Sequence, residues 1–94
     1  MVLNNLGLVL RALGDLAGAK AHFERALAID EAAYGPNHPQ VAIWLNNLGR
    51  VLQDLGDLEG ARAHFVRALA ILRQFLGEDH PHTRLVRENL ESLG

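Results

Sequence analysis

Residues 3–7 read LNNLG, and residues 45–49 read LNNLG again. Shifting the chain by that interval of 42 residues lays 4–45 over 46–87 with 23 identities in 42 positions. NNLGLVLRALGDLAGAKAHFERALAI (4–29) lies over NNLGRVLQDLGDLEGARAHFVRALAI (46–71). Each copy closes on a turn, YGPNHP at 34–39 and LGEDHP at 76–81, and a third copy opens with ENLESLG at 88–94. A period of 20–50 residues marks a stacked array, in which each unit covers the apolar face of the next. That signal outranks any local pattern.

Within a copy the period is helical. Leu45, Leu48, Leu52 and Leu55 recur at threes and fours, as do Ala61, Phe65, Ala68 and Leu72. LGD at 13–15 and 55–57 breaks the pattern with glycine, then offers Asp15 and Asp57 as caps or dipole partners for the next helix. Pro39 and Pro81 fit the first turns of helices. The spacing predicts five helices, at about 2–13, 16–34, 39–55, 58–76 and 81–93. They form one all-α domain: a hairpin at 1–38, a second at 39–80 and a closing helix in 81–94.

Composition narrows the function. The 94 residues are 49% apolar and 21% charged, with a net charge of −2, which gives no electrostatic footprint for nucleic acid or a membrane surface. Cysteine is absent, so disulfides, thiolate nucleophiles and thiolate metal sites are out of reach. No apolar run approaches a membrane span, and MVLNNLGLVLR lacks the basic start and cleavage site of a signal peptide. A cytoplasmic protein is the expectation.

Leu6, Gly7, Leu10, Gly14, Ala19, Phe23 and Ala26, and again Leu48, Gly49, Leu52, Gly56, Ala61, Phe65 and Ala68, fall at the spacing of the tetratricopeptide repeat. The chain resembles that family over nearly its whole length. The 42-residue period and the GxxHP turn (Gly35, His38, Pro39; Gly77, His80, Pro81) look like the kinesin-light-chain type, similar to repeats in bacterial multidomain signalling proteins. The resemblance implies a right-handed superhelical array of antiparallel helical hairpins. It departs from the family in having only two repeats and a fraction. Independently of it, Gly7 and Gly49 mark places where Phe23 and Phe65 of the paired helix come close. A mid-helix glycine costs about 1 kcal/mol against alanine, so writing it twice implies a packing return.

The asparagines fall on one face. If Leu45, Gly49 and Leu52 meet their own partner helix, then Trp44, Leu48, Val51 and Leu55 meet the preceding repeat. Asn46, Asn47, Arg50, Gln53 and Asp54 remain on the third face, beside Asn4, Asn5, Leu8, Arg11 and Ala12 of the first copy and Glu88, Asn89 and Ser92 of the third. The resemblance assigns this concave face to peptide binding, with Asn5, Asn47 and Asn89 contacting the peptide backbone. An amide suits that, being both donor and acceptor. The alternative is that these asparagines bond water or a neighbouring helix. Three such bonds supply roughly 2–4 kcal/mol, a weak site by itself. Some relatives clamp a terminal carboxylate with Lys and Arg here; no lysine lies on this face, Arg11 and Arg50 do not replace it, and the clamp is not expected.

The two ends differ. The last helix turns Val86, Leu90 and Leu93 toward the preceding repeat and Arg87 and Glu91 away from it, which is a solubilising cap. The first helix instead offers Val2, Leu6, Val9 and Leu13 toward a repeat that does not precede it. Covering those four contributes up to roughly 6–12 kcal/mol, against association costs of about 4–15 kcal/mol. The chain is therefore expected to be the C-terminal part of a longer array, or else to form a homodimer or exchange helices through this face.

Catalysis finds little support. His22 and His64 are repeat equivalents, as are His38 and His80; with His82 they follow the repeat rather than ligand spacing, so no metal and no cofactor is expected. Thr83 and Ser92 are the only hydroxyls besides Tyr34. Tyr34 and Trp44 are expected to seal the repeat junction, and Arg11, Lys20, Arg25, Arg50, Arg62, Arg67 and Arg73, alternating with acids, to form a solvated face. The chain reads as a non-enzymatic scaffold for a protein or peptide partner.

Overall fold

The computed structural model describes residues 2–94, and side chains from residue 6 onward. Five helices follow one another: α1 (Val2–Ala12), α2 (Leu16–Tyr34), α3 (Pro39–Asp54), α4 (Leu58–Leu76) and α5 (Pro81–Glu91). Each packs on the next in chain order, giving an all-α array of hairpins.

The sharp returns have a local cause. After α1 the Gly14 N–H donates to Arg11 O (3.0 Å) and the Asp15 N–H to Leu10 O (2.9 Å). This Schellman pair needs a left-handed residue, which Gly14 supplies at φ 85°. The same residue that ends one helix starts another: Asp15 Oδ1 accepts the Gly18 N–H at 2.9 Å, capping α2. Gly56 and Asp57 repeat the device, with Gly60 donating to Asp57 Oδ1 at 2.9 Å. The longer turns use histidine as cap. His38 Nδ1 accepts from the Gln40 N–H at 3.0 Å and His80 Nδ1 from the His82 N–H at 3.1 Å, each ahead of the proline that opens its helix.

Within hairpins, aromatic rings fill the gaps left by glycine. Phe23 and Phe65 are fully buried, and a Cβ on Gly7 or Gly49 would stand 2.3 Å or 2.7 Å from the facing ring. Between repeats the two junctions are built differently. Trp44 is buried against α2, its indole Nε1 donating to Asp30 Oδ2 at 2.5 Å and its ring 6.1 Å from that of Phe23. At the second junction the equivalent positions are Leu72 and Val86, both buried and both apolar. The polar pair and the apolar pair are alternative solutions to one contact.

Two expectations fail here. Tyr34 does not seal the junction with Trp44: it is 56% exposed, stacking on His38 at 4.5 Å between ring centres, because it ends α2 where the chain turns away. Leu55 does not pack on the preceding repeat either, since it is the exposed C-cap of α3.

Among the described residues one buried side-chain group lacks a partner. Thr83, where the previous copy has Val41, is fully buried with no hydrogen bond to Oγ1 among the described residues. An unsatisfied buried hydroxyl costs about 1–3 kcal/mol. Thr83→Val is expected to raise stability by about 1 kcal/mol in chemical denaturation; a loss of stability would mean the hydroxyl is satisfied.

Candidate functional site

The first helices of successive repeats lie side by side, and two cross-repeat contacts hold them there. Arg11 Nε of α1 meets Asp54 Oδ2 of α3 at 2.5 Å, and Asn89 Nδ2 of α5 donates to Asn46 Oδ1 of α3 at 2.9 Å. Four of the residues expected to face a ligand thus already hold one another. Asn46 and Asn47 are only 8% and 6% exposed, and Asn47 is engaged as well. The amides therefore set the spacing of the helices and present little free surface. Gln53 and Leu8 are half-buried. The side chains of Asn4, Asn5 and Val2 lie outside the described residues.

Between α3 and α5 the surface dips into a pocket of about 210 Å³. Ala42, Ile43, Leu72, Leu85 and Val86 provide its apolar part, and Asn46, Asn47, Arg50 and His82 its polar part. Ile43 and Leu85 are repeat equivalents, 42 residues apart, and Leu72 of α4 lies in the floor. Sequence reasoning named Asn46, Asn47 and Arg50 but missed the apolar half. The signal was available: Ile43 stands three and four residues before the asparagine pair, on their face of the helix.

Arg50 is the electrostatic anomaly. Four arginines are half-buried: Arg11, Arg50, Arg67 and Arg87. Arg11 meets Asp54, Arg67 meets Glu31 at 3.3 Å, and Arg87 meets Glu78 at 3.1 Å. Among the described residues no carboxylate comes within ion-pair distance of Arg50. Burial, then repulsion from Arg11, pushes the Arg50 guanidinium below its usual value, and attraction to Asp54 only partly opposes them. The expected uniform solvated face of basic residues is therefore uneven: Arg67 also bonds Pro36 O at 3.1 Å, tying α4 to the loop before α3.

Three of the five histidines serve the backbone. His38 and His80 cap helices, and His64 Nδ1 lies 2.7 Å from Gly60 O. Among the described residues no three His, Asp or Glu side chains converge on a common point as metal ligands. No helix of the described residues is long and apolar enough to cross a membrane.

An array of near-identical helical hairpins, with first helices lining a shallow groove, defines a helical-repeat protein. A family model for the tetratricopeptide repeat matches residues 1–74 and, in a second register, 42–93, and the chain belongs to that family. No curated protein matches it in sequence. Tetratricopeptide repeats generally mediate protein–protein interaction and typically act as non-enzymatic scaffolds.

Proposed function

We propose that the chain is a protein-interaction module that holds an extended peptide or partner helix along its first helices, in the groove between α3 and α5. The observation that carries this reading is the pocket itself, where apolar Ile43 and Leu85 stand beside the amides of Asn46 and Asn47 and the cation of Arg50. Its volume of about 210 Å³ suits one side chain, since an apolar cavity of about 150 Å³ takes a benzene ring and small-molecule sites run to about 300–1,000 Å³. Affinity then comes from several weak contacts strung along the surface. The 42-residue period and the His-Pro turns favour the kinesin-light-chain-like subtype, and the composition favours a cytoplasmic setting.

The test blocks the pocket with bulk. Leu85 is exposed, so Leu85→Trp fills the pocket without disturbing the core. Peptides selected on the native chain from a random octapeptide library are expected to bind Leu85→Trp at least tenfold more weakly. Val66→Arg on the exposed side of α4 is expected to leave them unaffected. Equal binding to native chain and Leu85→Trp would remove the groove from the account.

A second reading, self-assembly through α1, is favoured by the exposure of Leu6 (49%) and Val9 (52%) on α1 and of Leu13 (77%) just past its end. Two copies covering this face would make a homodimer or exchange helices. Leu6→Glu with Val9→Lys is then expected to convert a dimer to a monomer in light scattering over a hundredfold concentration range. A dimer unaffected by the double change would exclude the face.

A further inference from the structure

The groove reading leaves its ligand without a chemical character, and Arg50 supplies one. We propose, resting on that reading, that the bound peptide places an Asp or Glu carboxylate against the Arg50 guanidinium and a neighbouring aliphatic side chain among Ile43, Leu72 and Leu85.

Three observations carry this. Arg50 is the one half-buried arginine with no carboxylate partner among the described residues, and Asp54, the acid whose charge attracts it, is held by Arg11 through two contacts. Burying a cation without a partner is unfavourable, and an incoming carboxylate relieves it with a charge-assisted, bidentate hydrogen bond. Second, packing does not call for Arg50. Its repeat equivalents are Leu8 and Ser92, whereas residues that close the hairpins are the same in both full copies, as Gly7 and Gly49 or Phe23 and Phe65 are. Among the three copies, the cation is peculiar to the one whose first helix lines this pocket. Third, the apolar floor adjoins it in the same pocket, so one short stretch of peptide reaches both. His82, exposed at the start of α5, adds a second donor on the far wall.

The experiment selects binders from the random octapeptide library on the full chain, then synthesises the best of them with amidated C-termini, so that only side chains carry carboxylates. An enriched Asp or Glu beside Leu, Ile, Val or Met is expected. Arg50→Gln should weaken that peptide by about tenfold to a hundredfold, since hydrogen bonds to charged groups are the strong ones. Arg50→Lys should recover part of the loss, keeping charge without the planar fork. Replacing the peptide acid by its amide should make native chain and Arg50→Gln bind alike. Peptides blocked by Leu85→Trp yet lacking an acid, or indifferent to Arg50→Gln, would overturn the carboxylate inference and leave the groove standing. Peptides indifferent to Leu85→Trp, or no enrichment at all, would overturn both.

Discussion

Phe65→Ala is expected to destabilise the protein by about 3–5 kcal/mol, the cost of removing a fully buried aromatic ring and leaving its space empty. The ring lies over Gly49, whose missing Cβ would otherwise stand 2.7 Å from Cε1. Gly49 itself has no side chain to move into the hole. For a domain of 60–100 residues each kcal/mol shifts Tm by about 4–8 °C, so a fall of roughly 12–40 °C should appear in circular-dichroism melts. Against a total stability of about 5–15 kcal/mol, that brings the chain near unfolding. Gly49→Ala probes the same contact from the other side. It gains about 1 kcal/mol of helix propensity and loses about 1–3 kcal/mol to overpacking. In a Phe65→Leu background the clash is relieved, and Gly49→Ala should then cost less than in the native chain. Additive effects would mean the two residues do not share the contact. Phe23 and Gly7 form the same pair in the first hairpin, with a still closer approach of 2.3 Å.

Trp44→Ala is the second large effect, also about 3–5 kcal/mol, for a different reason. Trp44 is the largest of the fully buried side chains and fills the junction between the repeats, while its indole N–H is held by Asp30. Trp44→Phe separates the two contributions. It keeps most of the ring volume but removes the donor, so it should cost about 1.5–3 kcal/mol, the net value of one hydrogen bond to a charged group. Asp30→Leu makes the converse cut, leaving a buried N–H unsatisfied at about 1–3 kcal/mol. In a double-mutant cycle Asp30→Leu should cost less in the Trp44→Phe background, since no donor is then stranded. The second junction, with Leu72 and Val86 at the equivalent positions, shows the contact can be wholly apolar. Equal losses for Trp44→Phe and Trp44→Ala would mean the indole N–H, not the ring, holds the junction.

The repeat made the fold legible. A 42-residue period, read with Gly-Asp and His-Pro turn signals, places all five helices to within two residues, because helix ends here are governed by local chemistry: a left-handed glycine, an aspartate cap, a first-turn proline. Gly7 and Gly49 likewise announce their partners, since a mid-helix glycine has few other causes. The groove was legible in part. Helical spacing puts Asn46, Asn47 and Arg50 on one face, but cannot say that Asn89 reaches across to Asn46 or that Arg11 captures Asp54. Those contacts depend on the offset between neighbouring repeats, which no period encodes. Tyr34 shows the same limit. An aromatic beside a junction reads as a seal, yet the last residue of α2 points where the turn sends it, onto His38.

The most direct test of the groove is an NMR titration of the 15N-labelled chain with an amidated octapeptide selected as above. The account predicts that the largest shifts fall on Ile43, Asn46, Asn47, Arg50 and Leu85, together with the Arg50 Nε–H, while Val66 and Phe75 on the exposed face of α4 stay in place. Largest shifts on α4, or on Leu6 and Val9 of α1 and the adjoining Leu13 with α3 and α5 unmoved, would contradict it.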